Sequence, residues 1–400
     1  MSQALIMACT KTTMSDRRQT SSMRGGARCQ ILADRCLLVK GSASVILESG
    51  RAHVFLAEIR PGERLIVPEG RRIPIQVVSE SVFKILTGSS GSVEEIGKSP
   101  IPESWFDALS AIDSTPDHTQ RILIVGGVDS GKNSLSTLLV NRLLHMIPRV
   151  SILDLDVGQS EVGLPATIAL GTATHPVKSL CETEPQALCF VGSITPAPVT
   201  EKILTGVQKL LALTGRREGP LVVNTDGWVE GDGALQYKVR LADAVRPDAT
   251  ILMGENDKTR RLIEEAAQRS RILKVEKPSF AYTRSREERK RLREQAYYRH
   301  LKGGTVKEFL LSKVRWSCPD AEKIPRQNVN LLVGLLGKTG LLQELGVLKS
   351  ADPSRGKAWI YCGICPEVES IEVGMVRVRE DGRELEPVNL WSERSAHQGD

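Results

Sequence analysis

Four hundred residues, 40% of them hydrophobic and 26% charged, exclude a wholly disordered chain and leave room for two or three domains. No run approaches the roughly 18 consecutive apolar residues of a membrane span, and residues 1–28 hold no apolar signal core, so no membrane is expected and the location reads as cytoplasmic. A net charge of +6 admits an anionic partner such as nucleic acid, whereas an aromatic content of 4% argues against a groove built from many stacking rings.

Residues 1–28, rich in Ser, Thr and Arg, read as a disordered tail. Over 29–100, short alternating runs at 43–48, 53–59, 64–67, 73–78 and 82–87 are separated by turn residues: Ser49-Gly50, Pro61-Gly62, Pro68-Glu69-Gly70 and 88–91. This spacing predicts a small β-rich N-terminal domain. A linker with Pro100, Pro102 and Pro116 leads into a different texture. Strand-like runs at 121–125, 150–155, 187–191, 220–224, 249–253 and 272–275 alternate with helical patterns at 132–146, 200–213, 232–245 and 259–268. The alternation predicts an α/β domain over 101–303, a parallel sheet with helices on both faces, closed by a charged helix over 284–301. Residues 304–400 return to short apolar runs (330–336, 341–348, 359–362, 371–378) and predict a small β-rich C-terminal domain. Eight cysteines at irregular spacing read as reduced thiols; Cys362 and Cys365 have ligand-like spacing, but no second pair completes a four-ligand zinc site.

Four motifs carry the chemistry. Gly126, Gly127, Val128, Asp129, Ser130, Gly131 and Lys132 fit GxxxxGK between an apolar strand and a helix. There, backbone N–H groups and a lysine can surround phosphate oxygens, which makes the fold that of a P-loop NTPase. The loop runs on into Asn133 and Ser134; Asn133 stands where a Ser or Thr hydroxyl usually meets Mg²⁺, and its amide oxygen is the candidate replacement ligand. Asp154 and Asp156 follow the second strand, on one face of an extended segment near the loop, so that one can hold the metal while the other accepts a proton. Gln159 is placed to orient a nucleophile or to sense the γ-phosphate.

Thr225, Gly227 and Trp228 follow another apolar strand, where a Trp among Asp226, Glu230 and glycines reads as a ring offered to a base. Finally, five Arg and one Lys crowd 284–293; Arg289 and Arg293 are one helical turn apart and can clamp a transferring phosphoryl group.

In this order the loop, the DxDxxQ of Asp154, Asp156 and Gln159, the TxGW of Thr225, Gly227 and Trp228, and the RxxxR of Arg289 and Arg293 resemble the polynucleotide 5′-hydroxyl kinase family, particularly its compact archaeal-type members. Pro165, Gly192 and Pro196 look like family positions too, and the likeness spans most of 35–380. Asn133 departs from the family's usual Ser or Thr. The resemblance implies ATP as phosphate donor with Mg²⁺, and RNA, with DNA a further candidate, bearing a 5′-hydroxyl as acceptor. It implies Lys132 on the β- and γ-phosphates, Asp154 or Asp156 as base and metal ligand, Trp228 on a base near the 5′ end, and Arg289 and Arg293 over the phosphates. The alternative is an ATP-binding scaffold of an RNA-processing complex with weak or no transfer, for which Asn133 is the support. A regulatory GTPase would need Asn-Lys-x-Asp; Asn256-Asp257-Lys258 has the wrong order.

Overall fold

A computed structural model describes residues 22–23, 26–114, 120–214, 219–254, 270–318, 329–363 and 367–386. The helical pattern at 259–268, Pro116 and Cys365 lie outside the described residues, as do residues 1–21 of the expected tail.

The N-terminal sheet holds eight strands: β1 Ser22–Met23, β2 Gly26–Ile31, β3 Cys36–Lys40, β4 Ala43–Val54, β5 Ala57–Ile59, β6 Arg64–Val67, β7 Arg72–Thr87 and β8 Ser92–Ile96. The expected tail is therefore strand at 22–23 and 26–28. Residues 26–28 reach order because β2 pairs antiparallel with β7, from Gly26 opposite Leu86 to Ile31 opposite Ser81. Nor does Ser49-Gly50 end a strand. β4 and β7 are long partners whose register shifts between Leu47 and Ala52, so the glycine marks a bulged bend within β4.

Helix α1, Glu103–Asp113, occupies the expected linker and buries Trp105, Ala108, Leu109 and Ile112. The central sheet is built from β9 Arg121–Gly126, β10 Val150–Asp154, β11 Thr167–Ala173, β12 Pro185–Phe190, β13 Leu221–Asn224, β14 Ala249–Met253 and β15 Arg271–Val275, in the order β12-β11-β10-β13-β9-β14-β15. Its helices are α2 Lys132–Leu144, α3 Thr200–Leu213 and α4 Asp232–Val245. β10, β13, β9, β14 and β15 are parallel, as expected for buried runs such as Ile122–Val125. The all-parallel expectation fails at β11, which runs antiparallel to both β10 and β12. Its sequence, TIALGTA, mixes Thr, Ala and Gly into the apolar run, and the short excursion from β10 carries no crossover helix of the kind a parallel return needs.

Helix α5, Arg286–Leu301, follows the sheet, capped by Ser285, whose hydroxyl accepts the Glu288 N–H while the Glu288 carboxylate accepts the Ser285 N–H. Only Tyr297 and Leu301 of α5 are buried, in an apolar cluster with Leu336, Leu345 and Val347. These last belong to the C-terminal sheet: β16 Thr305–Leu310, β17 Arg315–Ser317, β18 Leu331–Leu336, β19 Leu342–Asp352, β20 Lys357–Cys362 and β21 Ser370–Arg377, ordered β16-β20-β19-β18-β21-β17. The apolar end of α5 thus anchors it and leaves its arginine-rich start beside the carboxyl edge of the central sheet.

Candidate active site

One cavity of about 1300 Å³ opens along that edge, walled by the phosphate loop, the segment after β10, the turn after β13, the start of α5 and parts of both flanking sheets. Ligands of open α/β sheets bind at this edge, and the volume exceeds what a single small molecule fills.

The phosphate loop joins β9 to α2. Gly131, with φ +104°, turns the chain into the helix against the Pro278 ring, a conformation that L side chains rarely adopt. Lys132 is buried, and its ammonium donates to the carbonyls of Gly126 (2.9 Å) and Gly127 (2.7 Å). Burial pulls its pKa down to about 8, opposed by the Asp156 carboxylate. The Ser130 hydroxyl is buried on the cavity wall without a hydrogen-bond partner among the described residues. A buried hydroxyl with no partner is costly, and a phosphate oxygen would satisfy it.

The two aspartates separate cleanly. Asp154 is fully buried. It accepts from the N–H groups of Asp156, Glu161 and Val162, the Ser160 hydroxyl and the Asn224 amide, at 2.7–3.3 Å. Burial and then the Asp156 charge push its pKa up to about 6, while its donors pull the other way. Both Asp154 oxygens are thus engaged in shaping the 154–162 loop. Asp156 reaches the cavity. Its Oδ1 accepts the N–H groups of Gly158 (3.1 Å) and Gln159 (2.9 Å), and no donor among the described residues meets Oδ2. Burial raises its pKa, with Lys132 opposing. Gln159 also lines the cavity, and its amide donates to the Arg289 carbonyl (3.2 Å), tying this loop to α5.

Asn133 follows the loop lysine in the first turn of α2. Its Nδ2 donates to Glu161 (2.8 Å) and its Oδ1 accepts from Asn224 (3.1 Å), so both ends of the amide are engaged within the protein. Among the described residues no group of three His, Cys, Asp or Glu side chains is arranged for a metal.

Thr225 is fully buried, and its hydroxyl donates to the Ile124 carbonyl (2.8 Å), stapling the turn to β9. Gly227 is required because a Cβ there would sit 2.7 Å from Val128 of the phosphate loop. Trp228 lines the cavity, with its N–H held by Asp226 (2.9 Å) and one ring face stacked on Tyr237 (centroids 6.0 Å, 24° between planes). Asp226 in turn pairs with buried Lys238 at 2.8 Å. The sequence pattern did not single out Tyr237 and Lys238, though their i, i+1 position at the first turns of α4 beside the TxGW segment is the available signal.

Both arginines of α5 line the cavity and both are held by carboxylates. Arg289 pairs with Asp129 of the phosphate loop at 2.6 Å, and Arg293 meets Glu384 through two bonds of 2.5 and 2.7 Å. Arg284 and Arg286 face the same space.

Glu161 lies outside the sequence expectations. Its buried carboxylate accepts from Arg71 of the N-terminal sheet at 2.7 Å. Burial alone would raise its pKa, but the Arg71 and then the Arg284 guanidinium hold it down at about 2. A carboxyl lowered in the folded state stabilises the fold above its ordinary value of 4.5, and that contribution is lost as pH falls from there toward about 2. Urea unfolding on either side of that window is therefore expected to show a steeper acid loss for the native chain than for Glu161→Gln; parallel acid limbs would contradict the assignment.

The family model for the P-loop of the mRNA cleavage and polyadenylation factor CLP1 matches residues 126–303. The polyribonucleotide 5′-hydroxyl-kinase of Methanocaldococcus jannaschii is 29% identical, across 71% of this chain and 94% of its own length. That of Pyrococcus horikoshii is 27% identical across 71% and 93%. A mouse polynucleotide 5′-hydroxyl-kinase, NOL9, is 32% identical, across 38% of this chain and 21% of its own length. In fold, the chain resembles Clp1p from a Clp1p–Pcf11p complex (TM-score 0.66, 12% identity, 89% of this chain and 98% of that one). The match begins at the glycine that opens the phosphate loop and ends just past α5, so it contains every wall that the central domain gives to the cavity, and it is to the polynucleotide 5′-hydroxyl kinases that the chain is similar.

Proposed function

We propose that this protein is an ATP-dependent kinase that moves the γ-phosphate of ATP to the 5′-hydroxyl of RNA, with DNA as a further acceptor. The observation that carries the reading is Asp156: a carboxylate with one oxygen fixed by backbone N–H groups and the other unclaimed, on the cavity that also holds the phosphate loop and Trp228.

ATP phosphates would lie on the loop, where Ser130 donates the hydroxyl that now lacks a partner and Lys132 exchanges its bonds to Gly126 and Gly127 for phosphate oxygens. The terminal base of the acceptor would stack on the free face of Trp228, whose other face is already occupied by Tyr237. Asp156 Oδ2 takes the proton as the 5′ oxygen attacks in line, and its raised pKa brings it closer to the basicity such a transfer uses. Arg289 and Arg293 stand over the phosphates once they are released from Asp129 and Glu384. A divalent cation brought in with ATP would neutralise phosphate charge.

The test is transfer of labelled γ-phosphate from ATP to 5′-hydroxyl oligoribonucleotides and oligodeoxyribonucleotides. Label on the 5′ end is expected with the native chain and background with Lys132→Ala; equal background in both, across divalent cations, would overturn the kinase reading in favour of a scaffold.

A further inference from the structure

Position 133 poses a question that the kinase reading leaves open. The residue after the loop lysine has both ends of its amide engaged, and the partner of its Nδ2 leads out of the central domain. Glu161 Oε1 accepts from Asn133, and Glu161 Oε2 accepts from Arg71 at 2.7 Å and from the Cys181 thiol at 2.9 Å. Arg71 is fixed in turn, its other arm donating to Ser179 at 2.9 Å and its carbonyl accepting the Gly41 N–H. Four hydrogen-bonded side chains, Arg71, Glu161, Asn133 and Asn224, thus run from the β6–β7 turn of the N-terminal sheet to the first residue past the phosphate-loop lysine, and end on Asp154.

The same turn braces the opposite wall. The Gly70 carbonyl accepts from Arg284 at 2.7 Å, and Glu69 faces Arg291 at 3.5 Å. Further along α2, Asn141 donates to the carbonyl of Phe55, in the β4–β5 turn, at 2.6 Å, so the helix that carries the loop meets the N-terminal domain directly at Asn141 and, two turns earlier, through Glu161 at Asn133.

We infer that Arg71 is a positioning residue for the phosphate loop: through Glu161 it orients Asn133, and with it the start of α2, so that affinity for the triphosphate depends on a side chain of the N-terminal sheet. The inference rests on the kinase reading only for its link to turnover; the link to nucleotide affinity stands without it. Asn133 acts here as a tether, which a Ser or Thr at that position is too short to form with Glu161. The two ends of the chain of bonds therefore depend on each other, as residues in one hydrogen-bonded network do.

The experiment is a double-mutant cycle on the full chain with Arg71→Met, Asn133→Ser and both together. ATP dissociation constants are read by calorimetry, KM and kcat by γ-phosphate transfer, and thermal midpoints without nucleotide. Arg71→Met is expected to weaken ATP binding about tenfold and to raise KM more than it lowers kcat, whereas in the Asn133→Ser background the same change has little further effect. Since Met leaves buried Glu161 without its hydrogen-bonded cation, Arg71→Lys and the charge-free pair Arg71→Met/Glu161→Gln are measured alongside. Lys is expected to recover most of the affinity and the charge-free pair to fold yet bind ATP weakly. A lowered thermal midpoint with unchanged ATP affinity, or effects of Arg71→Met and Asn133→Ser that simply multiply, would overturn the proposal. Failure of transfer in the native chain would sink the kinase reading alone, because calorimetry still decides the tether.

Discussion

Asp156→Asn is expected to lower kcat by about 10²- to 10⁴-fold while ATP binds within about threefold of the native chain, the range for loss of a positioned general base. Asparagine keeps an oxygen for the N–H groups of Gly158 and Gln159, so the loop after β10 retains its shape and the change falls on Oδ2, the oxygen without a donor. The matching change two residues earlier behaves differently. Asp154→Asn puts an NH₂ group among five donors in a fully buried position, so its main effect is lowered stability and poor folding. Single-turnover transfer and urea unfolding on both variants separate the two outcomes. A kcat for Asp156→Asn within tenfold of the native chain would move the base elsewhere.

Lys132→Ala is expected to cost about 10³-fold or more in kcat/KM for ATP, the scale for removing a preorganised positive donor from a developing phosphoryl charge. The lysine is buried and bonded to two loop carbonyls, and burial already lowers its pKa to about 8. It is held as a cation at a cost that bound phosphate would offset. The nucleotide-free variant should therefore melt no lower than the native chain, since a buried charge has been removed, while the rise in midpoint on adding ATP is largely lost. Thermal scans with and without ATP read both. An undiminished ATP-dependent rise would show that the phosphates bind away from the loop.

Much of the site is legible in the sequence because its motifs are local. A glycine-rich loop needs its glycines and lysine within seven residues, and the helix that carries Arg289 and Arg293 shows its spacing directly. What separates Asp154 from Asp156 is not local in the same way. It is the set of donors around each carboxylate, and one of those on Asp154 comes from Asn224, seventy residues on. The same holds for Asn133, whose partners Glu161 and Asn224 are 28 and 91 positions away, and for Arg289, whose nearest carboxylate belongs to the loop 160 positions earlier. Thr225 stands out in the sequence only as part of the TxGW segment, and which carbonyl its hydroxyl serves, that of Ile124 in the adjacent strand, is settled by the fold.

In this modestly basic, aromatic-poor chain, Trp228 lines the cavity with one ring face covered by Tyr237. By itself the sequence determined the phosphate loop, the class of chemistry and most of the described strands and helices of the central domain, though neither β11 nor α1, since apolar periodicity and glycine placement act over a few residues. Only the tertiary structure decided that β11 runs antiparallel, that Asp156 is the open carboxylate, that α5 is anchored on the C-terminal sheet and that the N-terminal sheet reaches the phosphate loop through Arg71. Each of these depends on hydrogen bonds or packing between segments far apart in the chain, and no local pattern encodes which distant donor a buried polar group will meet.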